Sequence, residues 1–318
     1  MPMVDMPLSK LKNYRGTNPC PADFDAYWES ALEEMRQTDL QIERVPAPYT
    51  FPNAECFDLY YTGVGGARIY AKYLQPKIRT GPVPAILQFH GYTDNSGNWM
   101  DKLSFVNMGF AVAAMDCRGQ GGRSEEIGGV LGNTFHGHFI RGLHDHPKKL
   151  LFRQVFLDAA QLAAVITTFD EVDGTRLASA GGSQGGGLAI ACAALDPRIT
   201  KVISAHPFLC DYRRVWDMDL DQSAYAELRE YFRHFDPLHE QEDETFNTLG
   251  YIDIQHLAPR VKADVLFGAT QLDTTCPPST QFAAFNKLGG PKKMLLYPDF
   301  GHEIPRSFWD MAARFLLN

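Results

Sequence analysis

The sequence predicts an α/β fold: a mainly parallel central sheet with helices on both faces, an N-terminal helical extension over 1–50 and a helical insertion at about 211–256. Three observations carry that expectation. Six short apolar runs, PAILQFH, GFAVAAMD, RLASAGG, KVISAHPF, ADVLFGAT and KKMLLYPD, are separated by stretches of helical period, and continuous apolar strands alternating with helices mark a parallel sheet buried on both sides. Glycines crowd one strand-to-helix junction, LASAGGSQGGGLAIACAAL, where the backbone must turn sharply or approach something closely. No internal repeat or low-complexity linker divides the chain, so a single domain over 1–318 is expected.

The elements follow in order. CPADFDAYWESALEEMRQ sets Phe24, Tyr27, Trp28 and Leu32 at helical spacing and reads as a helix packed on the body. CFDLYYTG and ARIYAKYL, rich in aromatic and β-branched residues around a VGG turn, read as a hairpin. Phe152, Val155, Phe156, Ala159, Ala163 and Ile166 make one apolar helical stripe, and Phe308, Met311, Ala312, Phe315 and Leu316 make another; both should dock on the sheet. The segment from Asp211 to His256, between the fourth and fifth apolar strands, is long, helical and aromatic. Ligand crevices of open α/β sheets lie at the carboxyl ends of the strands, so a cap over such a crevice or a subunit interface is the expectation for this insertion.

Composition narrows the partners. The chain is 45% hydrophobic and 21% charged, ordinary for a water-soluble globular protein. Its net charge of −8, from 30 Lys and Arg against 38 Asp and Glu, and its lack of a long basic run argue against nucleic acid or an anionic membrane as partner. No run approaches the roughly 20 apolar residues that span a bilayer, and the start lacks a charged n-region followed by an apolar h-region, so a cytoplasmic location is expected. Cys20, Cys56, Cys117, Cys192, Cys210 and Cys276 form no CxxC pair and read as reduced thiols, mostly core fillers.

The glycine-rich junction contains chemistry. Gly181 to Gly185 satisfy G-x-S-x-G after a strand and at the opening of a helix, the context that lifts a serine hydroxyl above a sheet. A phosphate cradle is the other use of such a loop, but no G-K-[ST] follows and no GxGxxG opens the first βα unit. An alcohol is a weak nucleophile at neutral pH, so Ser183 needs a base oriented by a carboxylate. Of the histidines after Ser183, only His302 lies in a short loop, PDFGHEIP, between a final strand and the last helix. Asp273 lies just beyond a strand and before a Pro-started helix, so its side chain should lie at the same sheet edge. Asp299 and Glu303 share the loop of His302, and Asp211 belongs to the previous crossover. Ser183, Asp273 and His302 therefore form the candidate catalytic set, in the chain order of α/β-hydrolases.

An acyl-transfer intermediate also needs preorganised donors for its oxyanion. The N–H of Gln184, after the serine, is one candidate; the N–H of Tyr92, in the loop HGYTDNSGNW after the first parallel strand, is the other. His90 and Gly91 read as a tight turn with a satisfied core histidine. Arg118, Gly119 and Gln120 sit at the same edge; Arg118 reads as a brace for the site loops, with clamping of a substrate carboxylate as the alternative. His136, His138, His144 and His146 lack a matching acidic or cysteine set, so no metal site is assigned.

Three separated motifs coincide: RGQ at Arg118–Gln120, GGSQG at Gly181–Gly185, and HE at His302–Glu303. With FDAYW, FHGY, FLCDYRR and FGATQLDTTCPPST, they make the chain resemble, over almost its whole length, carbohydrate esterase family 7, the acetyl xylan esterase and cephalosporin C deacetylase family of α/β-hydrolases. The resemblance implies a serine esterase that deacetylates short acetylated xylo-oligosaccharides and cephalosporin C without metal or organic cofactor. It implies an intracellular homohexamer whose sites face an internal cavity. It also carries over Ser183, Asp273 and His302 as nucleophile, acid and base, Tyr92 and Gln184 as oxyanion donors, and Arg118 and Gln120 as a structural motif. The histidine-rich GLHDHPKK falls where the family has a protruding loop near subunit contacts. The rival readings are another serine hydrolase, a thioesterase, lipase or peptidase, and a non-catalytic binding protein on the same fold.

Overall fold

The computed structural model describes residues 4–127, 129–131 and 136–318. The strands, in chain order, are β1 (Glu43–Pro46), β2 (Ala54–Thr62), β3 (Arg68–Pro76), β4 (Val83–Phe89), β5 (Ala111–Met115), β6 (Glu125–Glu126), β7 (Val130–Leu131), β8 (Val172–Gly182), β9 (Ile199–Ala205), β10 (Asp264–Thr270) and β11 (Lys292–Tyr297). Nine of them form one sheet in the order β1-β2-β3-β5-β4-β8-β9-β10-β11, while β6 and β7 make a small ribbon. From β5 to β11 every neighbour in the large sheet is parallel; β1, β2 and β3 extend it as an antiparallel meander. All six apolar runs are strands, and the fold is the mainly parallel α/β sheet that their alternation with helices predicts.

Strand period explains the two-layer packing. Ala85 and Leu87 of β4 join the core on one side of the sheet, and Ile86 between them joins the core on the other. The first layer holds the helices Phe24–Gln37, Leu151–Ile166 and Gln184–Leu195; the second holds Leu103–Asn107 and Phe308–Leu317. The hairpin of β2 and β3 turns through Val64–Gly66, with Gly65 at φ 80°. The short strand β1 has no apolar alternation to announce it; all four of its residues are exposed, and Pro46 and charged neighbours blunt it as a sheet edge.

Two differences from the sequence reading have packing causes. The N-terminal helix starts at Phe24 rather than near Cys20, because Pro21 to Asp23 form a turn. The helix Leu151–Ile166 buries far more than its apolar stripe: every residue except Ala164 is buried, including Arg153, Asp158 and Gln161. The N-terminal helix covers its outer face, with Trp28 stacked on Phe156 at 6.0 Å.

The 211–256 segment folds as the helices Tyr212–Asp217, Ala226–Phe235, Glu242–Leu249 and Ile254–Leu257 around Trp216, Phe232 and Phe246. The N-terminal segment ties it down: the Tyr14 hydroxyl and the Asn18 N–H both donate to Asp211 at 2.8 Å, and Trp28 Nε1 donates to the Tyr251 carbonyl at 3.0 Å. All six cysteines are free thiols, five of them buried. Among the described residues, no helix is long and apolar enough to cross a membrane.

Candidate active site

Ser183 stands between the end of β8 and the helix Gln184–Leu195 with φ 54° and ψ −122°, a backbone conformation that costs on the order of 1–3 kcal/mol and persists only where its surroundings enforce it. The neighbouring glycines are that enforcement. A Cβ on Gly181 would lie 2.3 Å from the backbone of Gly185, and one on Gly185 would lie 2.1 Å from the carbonyl oxygen of Phe89. The turn is therefore packed between β4, β8 and its own helix with no room for a side chain at Gly181 or Gly185.

His302 lies across it. Its Nε2 is 3.0 Å from Ser183 Oγ and its Nδ1 is 2.9 Å from Asp273 Oδ2. An ionised carboxylate only accepts, so Nδ1 carries the proton and Nε2 is left to accept from the serine hydroxyl. Asp273 is fully buried, and its Oδ1 accepts from the N–H groups of Thr275 at 2.9 Å and Cys276 at 2.8 Å. The other acidic candidates stand apart. Asp211 serves the N-terminal segment, and Asp299 and Glu303 are exposed on the loop of His302.

Gln281 is a residue the sequence reading missed. Buried on the helix Pro278–Lys287, it accepts from the Thr270 N–H at 3.1 Å and donates through Nε2 to the Cys276 carbonyl at 2.6 Å and to Asp273 Oδ2 at 3.3 Å. It bridges the end of β10 to the loop that carries the carboxylate. The sequence carries no distinct signal for it, since Gln281 follows Ser279 and Thr280 in a polar helix start.

Neither the Tyr92 N–H nor the Gln184 N–H donates a hydrogen bond among the described residues. The Gln184 N–H also opens a helix, where the backbone dipoles favour negative charge. Gln120 holds these two loops together, donating to Gln184 Oε1 at 2.8 Å and accepting from the Thr93 N–H at 3.0 Å. Arg118 points away from the serine: its guanidinium meets Asp158 in a two-pronged contact at 2.6 and 2.7 Å, and both side chains are buried. Gly119, between them, has φ 73°. His90 is half-buried in a turn, accepting from the Cys117 N–H at 2.9 Å through Nε2 and facing the Gly91 carbonyl through Nδ1; desolvation pushes its pKa down.

Two cavities meet at Ser183 and His302. One, of about 430 Å³, is lined by Phe89, Lys102, His206, Ile304 and Trp309 as well. The other, of about 660 Å³, adds Tyr92, Thr275 and, from the 211–256 segment, Ser223, Ala224 and Glu227. The Tyr92 hydroxyl donates to Glu227 at 2.7 Å, so the inserted helices are fastened to the loop beside the serine. His206, a second residue the sequence reading left unused, packs edge-on against His302 with ring centroids 4.8 Å apart.

The histidine cluster does not converge. His144 stacks on Phe235 at 5.2 Å, His146 accepts from the Lys148 N–H, and the His136 and His138 rings stand 6.0 Å apart. Among the described residues, Asp273, Cys276 and His302 are the one group of three whose ligand atoms lie within 4.8 Å of one another, and Asp273 and His302 are already joined by a hydrogen bond.

The parallel sheet with the G-x-S-x-G turn at its carboxyl edge makes this protein an α/β-hydrolase. More narrowly, the chain belongs to the acetyl xylan esterase family, whose model matches residues 1–318. It is similar to acetyl xylan esterase 1 from Thermoanaerobacterium sp. JW/SL YS485, with 56% identity, a TM-score of 0.95 and 98% of each chain covered. It is also similar to the acetyl xylan esterase from Paenibacillus sp. R4, with 36% identity, a TM-score of 0.92, and 98% and 99% of the two chains covered. Acetyl esterase Axe7A of Xylanibacter ruminicola is 27% identical over 284 residues; the match covers 87% of this chain and 62% of that relative's length.

Proposed function

We propose that this protein is a serine esterase that removes acetyl groups from small acetylated carbohydrates, acetylated xylo-oligosaccharides foremost, and from cephalosporin C. The observation that carries the reading is the unbroken contact from Ser183 Oγ through His302 to buried Asp273, at 3.0 and 2.9 Å. Membership of the acetyl xylan esterase family supplies the acyl group.

In this mechanism Ser183 Oγ attacks the acetyl carbonyl as His302 Nε2 takes its proton, and Asp273 stabilises the imidazolium that forms. The oxyanion lies between the N–H groups of Tyr92 and Gln184. Collapse breaks the bond to the sugar oxygen, which receives the proton from His302 and leaves as an alcohol. Water then attacks the acetyl-enzyme, gives its proton to His302, and acetate departs with Ser183 restored. No step calls for a metal or organic cofactor.

The single-domain arrangement is part of the proposal, and so is a capping role for residues 211–256, supported by Ser223, Ala224 and Glu227 beside the serine. A cytoplasmic homohexamer remains the expectation drawn from family resemblance. An acyl-chain series on p-nitrophenyl esters tests the activity: turnover should be highest for acetate, and a rise toward octanoate would hand the site to a lipase or thioesterase. Failure of a fluorophosphonate to label Ser183 would favour a binding protein. Light scattering tests the assembly, and a hexamer with inward-facing sites should accept oligomers while rejecting polymeric acetylated xylan.

A further inference from the structure

A third cavity, of about 610 Å³, lies next to the one at Ser183 and falls within the usual small-ligand range of about 300–1,000 Å³. The two share Gly97: Asn95 and Ser96 line the first, Asn98 and Trp99 the other. Gly97 has φ 64° and no side chain, so only backbone stands between them there.

The walls of this cavity combine ring faces with fixed polar groups. Tyr49 is half exposed and leans on Trp99 with centroids 5.6 Å apart. Lys72 Nζ stands 5.7 Å from the Trp99 ring and donates to Ser96 Oγ at 2.7 Å. Arg123 lies 4.2 Å over the Tyr70 ring and donates to Asp58 at 2.9 Å, and Asp58 also accepts from the Tyr70 hydroxyl at 2.6 Å. Cations and carboxylate are interleaved rather than massed, which suits neutral hydroxyls better than an anion. Flat apolar rings flanked by fork-shaped donors and a carboxylate match the two kinds of surface on a pyranose, its C–H face and its equatorial hydroxyls.

We propose that this cavity is a subsite for the distal sugar units of an acetylated oligosaccharide whose acetyl group lies at Ser183, the chain passing over the 95–98 turn. The inference rests on the deacetylation reading above and adds to it a recognition surface on β2, β3 and the β4–β5 connection. It assigns Tyr49, backed by the buried Trp99, as the stacking platform, with Asp58, Lys72 and Arg123 as hydroxyl partners.

The test compares p-nitrophenyl acetate, monoacetylated xylose and acetylated xylotriose on the wild type and on Tyr49→Ala, an exposed position whose truncation leaves the core intact. The wild type should show a lower KM for the trimer than for the monomer. Tyr49→Ala should lower kcat/KM for the trimer relative to that for p-nitrophenyl acetate by about 2- to 10-fold, the worth of one aromatic contact. Equal KM for monomer and trimer, or an unchanged ratio in the variant, overturns the subsite alone. Turnover of p-nitrophenyl acetate with none of either acetylated sugar overturns the sugar reading and the subsite together. A change of assembly mass in Tyr49→Ala, read by light scattering, overturns the proposal by assigning the patch to a subunit contact.

Discussion

Gln120 and Gln184 face one another as a reciprocal amide pair, Gln120 Nε2 donating to Gln184 Oε1 at 2.8 Å and Gln184 Nε2 to Gln120 Oε1 at 3.1 Å. The last residue of the RGQ motif thus grips the residue after the serine, and its oxygen also receives the Thr93 N–H of the Tyr92 loop. Both amides are fully buried.

Gln120→Ala should therefore loosen the two proposed oxyanion donors relative to each other without touching the serine. Steady-state kinetics on p-nitrophenyl acetate should show kcat reduced about 10-fold or more, short of the roughly 10²–10³ that follows outright loss of a donor. KM should change little. A kcat within twofold of wild type would mean that the pair only packs.

Ser183→Ala should abolish esterase turnover while circular dichroism stays native. Asp273→Asn should cost roughly 10⁴ in kcat, the effect of leaving the imidazole in the wrong tautomer. A mild loss would shift the acid's role to Asp299 or Glu303.

Gln281→Leu should leave the Thr270 N–H and the Cys276 carbonyl without their buried partner, at about 1–3 kcal/mol for each group. Denaturant unfolding reads that cost. If Gln281 also holds Asp273 toward His302, the acid limb of the kcat profile should move; a fall in stability with an unmoved profile would limit it to structure.

Arg118→Met should be among the most damaging changes far from the serine. It leaves Asp158 as a buried charge without its guanidinium, a loss of about 3–5 kcal/mol. Changing both partners together to apolar residues should recover much of it, which a double-mutant cycle by urea unfolding would measure.

His206 should make the protein acid-sensitive. Burial, and then the neighbouring His302, push its pKa from 6.5 down to about 4. Because the folded value lies below the unfolded one, the neutral imidazole contributes stability that is complete above about pH 6.5 and is lost as pH falls toward 4. The full shift corresponds to about 3 kcal/mol. Wild type should lose roughly 2–3 kcal/mol more than His206→Gln between about pH 7.5 and about pH 4.5, by urea unfolding. Equal losses in the two proteins would refute the linkage.

The contacts that the sequence did not reveal are of one physical kind. Strand runs, the G-x-S-x-G turn and the order of Ser183, Asp273 and His302 are local patterns, readable because period and turn sterics act over a few residues. Gln281 behind Asp273, Asp158 under Arg118 and Glu227 against Tyr92 are pairings between distant segments, and each partner alone looks like an ordinary polar residue on a helix.

Chain chemistry was enough to set the sheet, its helical cover and the placement of one serine on a glycine-walled turn, because a Cβ at Gly181 would collide with the backbone of Gly185, only four residues along the chain. Tertiary packing decided the rest. It buried Leu151–Ile166 almost entirely, turned Arg118 away from the serine and brought the 211–256 helices to the rim of the site. The physical reason is that burial and hydrogen-bond pairing depend on which distant surfaces meet, and no spacing along the chain records that.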